Sequence, residues 1–303
     1  MNGSKFLLFL MLLLCTHEAF ARQDVVKKKY QYKLAVTATF RDEAPYIKEW
    51  IEYHKLVGVQ HFYLFNNRSK DHYLQVLEPY VKKGEVELIE WPYASKDVYE
   101  WSRIQRGAYE YAVGLSEGIA QWLAIIDLDE FIVPQKHNSL VTLLKDYEDF
   151  GGVCINWQMF GTSHIKKISS NKLLIESLVM KGNKNFSENG HVKTIVQPEA
   201  VESIPNPHFV NYKKGLFQVN TNKEQFKGPI SPYITTDIMC INHYWTRDEE
   251  YYYRAKLKRR ALWFLKGQEQ KAQEERLLNL NAEQDDTILR FVPALRKAMK
   301  KSA

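Results

Sequence analysis

Short apolar runs alternate with helical stripes through the first half of the chain. Runs rich in β-branched and aromatic residues predict strands over residues 32–40, 61–65, 86–91 and 122–126. Between these runs, apolar residues recur three and four positions apart, which predicts three helices. The first begins near Pro45, and the other two cover residues 73–81 and 101–116. Because strands and helices alternate, we expect an α/β fold with a mostly parallel sheet flanked by helices.

The strand predicted over residues 122–126 leads directly into an acidic motif, Asp127-Leu128-Asp129-Glu130. In open α/β sheets, ligands bind at the edge where the strands end. Two acids one residue apart can share a divalent cation, which prefers oxygen ligands. The alternative is a solvated turn, but residues 131–134 after the motif are apolar, which does not suit one. The motif therefore predicts a metal site.

Two polar loops follow the first two predicted strands, at residues 39–46 and 66–71. Each loop alone could be an ordinary helix-capping turn. Because both reach the same sheet edge as Asp127, we interpret the three segments together as a nucleotide pocket. The chain has neither a G-x-G-x-x-G motif nor a P-loop, which argues against a dinucleotide dehydrogenase or a P-loop enzyme.

The charge of this 303-residue chain is concentrated near its C-terminus. The net charge is +6, yet residues 251–303 hold 13 Lys or Arg against 6 Asp or Glu, so the first 250 residues have a net charge of −1. The run over residues 254–260 fits a solvated helix face, a contact to a diphosphate or an anionic membrane surface. We expect no nucleic-acid partner, because no recognised binding fold accompanies the run.

The N-terminus has the pattern of a secretory signal. Lys5 precedes an apolar run over residues 6–14, and residues 19–21 (Ala-Phe-Ala) resemble a cleavage site. We therefore expect residues 1–21 to be a signal peptide or a short anchor that directs the protein to the secretory pathway. Cys154 and Cys240 then remain, either as one disulfide or as two buried free thiols.

Five ordered motifs give the chain a family resemblance. They are residues 41–54, 58–63, 127–131, 157–163 and 242–245. Together they resemble glycosyltransferase family 92 and its relatives. The resemblance implies a GT-A fold, which we assign to residues 30–255, followed by a basic helical tail over residues 256–303.

The resemblance also implies roles for particular residues. Asp127 and Asp129 would hold Mn²⁺ or Mg²⁺, and His243 would complete the metal shell. The donor would be a nucleotide-sugar, UDP-linked in view of the family, with contacts from Arg41, Glu43, Asn66, Asn67, Asp127 and Lys193. Contacts to the acceptor would come from Trp157, Phe160, His164 and Trp245, although core packing explains the aromatic residues equally well.

The implied reaction is an inverting transfer of a hexose, with galactose the leading donor sugar, to a glycan or glycoconjugate. Inversion requires a carboxylate that deprotonates the acceptor hydroxyl, and Glu250 is our preferred candidate among the acids near His243. Two alternatives remain open: a catalytically silent carbohydrate- or nucleotide-binding protein on the same fold, and a nucleotidyl- or phosphotransferase.

Overall fold

The computed structural model describes residues 29–257 and 269–301, which form an α/β fold. The strands are β1 Tyr32–Phe40, β2 His61–Asn66, β3 Val86–Glu90, β4 Ala120–Ile125, β5 Glu130–Pro134, β6 Gly152–Met159, β7 Met180–Lys181, β8 Val192–Val196, β9 Val201–Asn206, β10 Phe209–Tyr212, β11 Gln218–Val219, β12 Met239–His243 and β13 Glu283–Gln284. The helices are α1 Ala44–Leu56, α2 Tyr73–Lys82, α3 Val98–Ser116, α4 Leu140–Leu144, α5 Leu174–Ser177, α6 Glu249–Tyr251, α7 Glu269–Asn279 and α8 Val292–Lys301. Helix α6 continues as a π-helical segment, Tyr252–Lys256.

Nine strands of the described residues form one central sheet. Its order is β3-β2-β1-β4-β8-β6-β12-β5, with β11 beside β6. Strands β3, β2, β1 and β4 pair in parallel, as do β6 and β12. Strands β8 and β5 run antiparallel to their neighbours. The predicted α/β class and mostly parallel sheet are therefore confirmed, and the reversed β8 brings its first residues to the edge where β1 and β4 end.

Helices cover both faces of the sheet. In β1, Leu34 and Val36 share one apolar cluster with Trp50 of α1, whereas Ala35 packs in a second cluster with Ala108 of α3. Successive side chains of a strand point to opposite faces, so this alternation buries β1 on both sides. The sheet edge, rather than a sheet face, is thus the place left for a ligand.

Helix α1 is positioned by residues at both of its ends and at its centre. Pro45 lies in the first turn, where its missing N–H is not needed. Gly58, with φ of +111°, turns the chain after the helix toward β2. At the centre, Trp50 Nε1 donates a hydrogen bond of 2.8 Å to the carbonyl oxygen of Glu130. This bond ties α1 to the last residue of the acidic motif, which is also the first residue of β5.

The C-terminal residues 269–301 pack on the rest of the fold. Helix α8 contacts α1, and β13 pairs with β7. Four apolar side chains of this segment are buried in the main core: Leu280, Ile288, Phe291 and Leu295. Within the tail predicted over residues 256–303, α7 and α8 are helical and these apolar side chains join the main core, while the domain bounds stay a prediction. Residues 258–268, which hold the end of the basic run, lie outside the described residues.

Cys154 and Cys240 are both buried free thiols, which decides between the two alternatives open from the sequence. Cys240 Sγ accepts hydrogen bonds from Gln135 Nε2 at 3.0 Å and from Gln158 Nε2 at 2.8 Å.

Among the described residues, no helix combines the length and the apolar character needed to cross a bilayer. The signal peptide or anchor predicted over residues 1–21 lies outside the described residues.

Candidate active site

A cleft of about 360 Å³ opens at the sheet edge where β1, β4 and β12 end. It contains both aspartates of the acidic motif and His243, the last residue of β12. The full lining is Thr39, Phe40, Arg41, Asp42, Glu43, Ser95, Trp101, Gln105, Asp127, Leu128, Asp129, Trp157, His208, His243, Trp245 and Lys256.

Asp127 is held by three donors from the body of the fold. Gln105 Nε2 and Tyr109 Oη, both on α3, donate to Asp127 Oδ1 at 2.7 and 2.9 Å. Lys193 Nζ, on β8, donates to Asp127 Oδ2 at 2.8 Å. Burial opposes ionisation of Asp127, but the Lys193 ammonium outweighs it and holds the pKa of this carboxyl below its usual value. Asp127 is therefore an ionised carboxylate with both oxygens already engaged.

Glu130 lies beneath Asp127 as a second, fully buried acid. Its Oε2 accepts a hydrogen bond of 2.8 Å from the backbone N–H of Asp127, and its Oε1 lies 3.9 Å from Lys193 Nζ. Burial raises the pKa of Glu130 well above its usual value, and the neighbouring Asp127 charge adds to this effect. The lysine therefore neutralises mainly Asp127, and Glu130 orients the turn of the motif.

Asp129 has partners from a different part of the chain. Lys256 Nζ, in the π-helical segment, donates to Asp129 Oδ2 at 2.8 Å. His243 Nε2 lies 3.4 Å from Asp129 Oδ1. Burial would raise the pKa of Asp129, but Lys256 and His243 together hold it well below its usual value. The side chain of Asp129 is 12% exposed and faces the cleft.

Asp129 and His243 are the pair of predicted metal ligands that best fits a divalent cation. Their 3.4 Å separation is close to that of two neighbouring ligands on one ion. Mg²⁺ sites commonly use one or two protein ligands and take the rest from substrate phosphates. Within residues 29–257 and 269–301, no group of three His, Cys, Asp or Glu side chains is arranged to hold a metal. Asp129 and His243 would therefore share such a cation with a phosphate-bearing ligand, and Asp127 as a further ligand stays a prediction.

Glu43 lies at the cleft in a buried ion pair. Its Oε2 accepts a hydrogen bond from Arg247 Nη2, and the Arg247 guanidinium carbon lies 3.9 and 4.6 Å from the ring centroids of Tyr46 and Tyr251. Burial raises the pKa of Glu43, and Arg247 only partly offsets this. Arg247 has φ of +53°, a strained conformation for a residue with a side chain, which marks this turn as one that the surrounding packing imposes.

Of the other predicted nucleotide contacts, one lines the cleft and two lie in the loop behind it. Arg41 lines the cleft with a half-exposed side chain. Asn66 Nδ2 donates to Tyr73 Oη and to Glu90 Oε2, both at 2.8 Å, whereas Asn67 Nδ2 donates to the carbonyl oxygens of Trp91 and Tyr93. The two asparagines are buried and do not line the cleft, so the structure places them where they shape the loop.

Two of the predicted acceptor-binding residues line the cleft. The Trp157 ring lies 4.3 Å from that of His243, between centroids, and 5.0 Å from that of His208. Trp245 is approached by Lys256 Nζ at 5.2 Å from the ring centroid. Both indoles border the carboxylates, and a sugar could stack on the less buried Trp245.

The structure does not bring the remaining predicted residues to the cleft. Phe160 is fully buried and packs on Tyr244, with ring centroids 4.8 Å apart. His164 is exposed in a turn with φ of +57°. Glu250 Oε1 lies 3.1 Å from Lys167 Nζ, in a pair whose side chains are 42% and 68% exposed. Glu250, in the first turn of α6, therefore faces solvent.

The structure also identifies cleft residues for which sequence reasoning gave no site assignment: Gln105, Arg247, Lys256 and His208. Arg247 contacts the cleft through its bond to Glu43, and the other three line the cleft themselves. Lys256 lies within the basic run for which we considered diphosphate contact, so the sequence carried a weak signal for it. Gln105 gave none, since a polar residue on a helix is ordinarily solvated.

The chain belongs to glycosyltransferase family 92. The family model, described as Glycosyltransferase family 92, matches residues 35–274. A family 92 protein of Ricinus communis is 24% identical over 234 residues, which cover 74% of this chain and 38% of that protein. One of Arabidopsis thaliana is 21% identical over 241 residues, covering 73% of this chain and 37% of that protein. The chain thus spans less than two fifths of the length of these curated relatives.

Solved structures show a weaker likeness. The UDP complex of Staphylococcus aureus TarS, residues 1–349, has a TM-score of 0.36 and 14% identity, covering 55% of this chain and 47% of that one. HddC of Yersinia pseudotuberculosis has a TM-score of 0.37 and 15% identity, covering 75% of this chain and 99% of that one.

Proposed function

We propose that the protein is a metal-dependent, inverting glycosyltransferase that transfers a hexose from a UDP-sugar to a glycan or glycoconjugate, with galactose the leading donor sugar. The observation that carries the proposal is the pair of ionised carboxylates, Asp127 and Asp129, in a cleft at the carboxyl edge of the sheet of a family 92 chain. Such an edge is where α/β proteins bind nucleotides.

In the proposed reaction, an acceptor hydroxyl oxygen bonds to the anomeric carbon as the bond from that carbon to the diphosphate breaks. The electron pair of the broken bond leaves with UDP, and the hydroxyl proton passes to a base. Asp129 and His243 would hold a divalent ion that, when bound, supplies positive charge for the departing diphosphate. Lys256, which also lines the cleft, adds a second positive charge on the same side.

The remaining cleft residues position the two substrates. Asp127 is held by hydrogen bonds from the protein, so its side chain suits a contact to the nucleotide in which the carboxylate does not have to move. Trp245 would offer its indole ring to a sugar, whereas Trp157 is buried against the rings of His191 and His243. The role of Glu250 as the base stays a prediction, and its exposed position does not support it. Among the described residues, the carboxylates that line the cleft are Asp42, Glu43, Asp127 and Asp129.

A donor screen tests the proposal. UDP or GDP release would be measured for a panel of nucleotide-sugars, with Mn²⁺ and with EDTA. We expect UDP release from one UDP-hexose that requires Mn²⁺ and an added glycan. Binding of UDP without turnover would favour a catalytically silent binding protein, and turnover of a nucleoside triphosphate would favour a nucleotidyl- or phosphotransferase.

Export through the secretory pathway and contact with an anionic membrane through the basic run also stay proposals. Both depend on residues 1–28 and 258–268, which the structure does not describe. The relevant measurement is the location of the full chain carrying a C-terminal tag, with and without residues 1–21.

A further inference from the structure

Lys256 pairs with Asp129, one of the two residues that would hold a metal ion. Its Nζ lies 2.8 Å from Asp129 Oδ2, and the two side chains are 10% and 12% exposed. His243 Nε2 lies near the other oxygen of the same carboxylate, at 3.4 Å. Asp129 is therefore held between an ammonium group and an imidazole.

The lysine on Asp129 is less constrained than the lysine on Asp127. Lys193 lies in β8 within the central sheet, its side chain is 1% exposed, and it also approaches Glu130. Lys256 lies at the end of a π-helical segment and lines the cleft. Single-turn π-helices occur frequently at functional sites. Its flexible four-carbon stem allows the ammonium group to move while the backbone stays in place.

An ammonium group and a divalent cation cannot share Asp129 without strong repulsion, because both are positive and the site is largely buried. A cation bound by Asp129 and His243 would therefore displace Lys256. When the nucleotide-sugar is bound, its diphosphate would contact the cation and would also be an anion with which the displaced Lys256 can pair.

We infer that Lys256 exchanges partners: it pairs with Asp129 in the empty cleft and contacts the donor diphosphate when a divalent ion takes Asp129. The inference rests on the proposed function, because it assumes a nucleotide diphosphate ligand. Lys256 is then a competitor of the metal in the absence of nucleotide and a substrate-binding residue in its presence.

The exchange couples metal binding to nucleotide binding. Without nucleotide, the ion must displace Lys256 into a cleft where Asp127 and Glu43 already pair with Lys193 and Arg247, so metal affinity is low. With UDP present, the displaced lysine gains the diphosphate, so metal affinity rises. Linkage requires that the metal strengthen UDP binding by the same factor.

Mn²⁺ binding to the full chain, measured by the EPR signal of the free ion, tests the exchange without any turnover. For Lys256→Met in the absence of nucleotide, we expect Mn²⁺ to bind about tenfold more tightly than to wild type, since the competing charge is gone. UDP should tighten Mn²⁺ binding about tenfold in wild type and clearly less in Lys256→Met.

Two further variants keep the test interpretable. Lys181→Met removes a comparable lysine, which pairs with Asp285 at 2.7 Å and is 18% exposed but does not line the cleft. We expect it to bind Mn²⁺ and UDP as wild type does. If Lys256→Met does not fold, Lys256→Gln removes the same charge while its amide can still donate to Asp129, and the same changes are expected.

The outcomes separate the exchange from the proposed function. If wild type binds Mn²⁺ with UDP but the Lys256 variants match it with and without nucleotide, the exchange is wrong and the metal site stands. Weaker Mn²⁺ binding by Lys256→Met without nucleotide would also overturn the exchange. If wild type binds UDP but no Mn²⁺ under any condition, both the exchange and the proposed metal dependence are overturned.

Discussion

Two lysine–carboxylate pairs lie in the same cleft, and the fold supports them differently. Lys193 and Asp127 are 2.8 Å apart, as are Lys256 and Asp129. Asp127 receives two further bonds from α3 and lies above the buried acid Glu130. Asp129 instead faces residues from β12 and from the π-helical segment. One carboxylate is fixed by the sheet and its helix, and the other by side chains at the rim of the cleft.

The comparison shows that two acids one residue apart need not have the same task. Asp127 has its oxygens engaged by donors that are part of the core, so removing those donors should affect folding as much as activity. Asp129 has a partner that can leave, so it is the carboxylate of the two that suits a ligand bound only during turnover. The following predictions test that difference.

The largest effect is expected for Asp129→Asn. The change removes one ligand of the proposed ion and keeps the size of the side chain, so kcat should fall about 10³-fold, in the range seen for loss of a key charge-stabilising group. The free energy of unfolding from urea titration should fall by about 1 to 2 kcal/mol, because the asparagine no longer neutralises the largely buried Lys256, whose flexible stem can still turn into the cleft. Full activity of this variant would remove Asp129 from the site.

Lys193→Met should mainly affect stability. The lysine is buried between Asp127 and Glu130, so its loss leaves the Asp127 carboxylate without a counter-ion and should cost about 3 kcal/mol in the free energy of unfolding. The matched control is Lys82→Met, which breaks the exposed pair with Glu78 and should cost less than about 0.5 kcal/mol. Equal costs for both variants would show that the Asp127 side is not the more rigid one.

The fold around Asp127 was largely predictable from the sequence, and the reason is local. The predicted strand over residues 32–40 coincides with β1, and the strand predicted over residues 122–126 differs from β4, Ala120–Ile125, by one or two residues at each end. Parallel β-α-β units can be predicted from local sequence, because their strands are continuous apolar runs and their connections are short. The later strands were not predicted, because β8 and β12 are placed by antiparallel and crossover pairings with distant strands.

The site divides in the same way. The motifs indicated Asp127, Asp129 and His243, and the structure brings all three into one cleft. The partners of Asp129 and Glu43 could not be predicted from the sequence, since Lys256 is 127 residues from Asp129 and Arg247 is 204 residues from Glu43. No spacing rule connects residues so far apart, and only the folded chain shows that they pair.

Glu49 is another buried acid, with backbone amide donors in place of a lysine. The backbone N–H groups of Leu174 and Ile175 donate to it at 2.8 and 3.0 Å, and burial raises its pKa to about 7. A raised pKa means that the folded state prefers the protonated acid, so this contribution to stability is complete below pH 4.5 and is lost as the pH rises through about 7. Asp127 and Asp129, whose pKa values are lowered, behave in the opposite sense.

The measurement is the free energy of unfolding of wild type and Glu49→Gln at pH 5, 6 and 7. Relative to the variant, wild type should lose roughly 1 kcal/mol per pH unit. The difference between the two proteins is needed because burial lowers the pKa of His54 and of His208 to about 3, which gives both proteins an opposite slope in this range. A difference that does not vary with pH would show that Glu49 is ionised like the lysine-paired acids.

The smallest effect is expected for Gln105→Met, which removes one of the three donors to Asp127. Because Tyr109 and Lys193 still hold the carboxylate, kcat/KM should fall less than about tenfold. Gln121→Met is the matched control, since that amide bonds Glu148 at 3.0 Å outside the cleft and should leave kcat/KM unchanged. A loss for Gln105→Met as large as that for Asp129→Asn would mean that Asp127 depends on a single donor, and the contrast between a fixed and an exchangeable carboxylate would then be wrong.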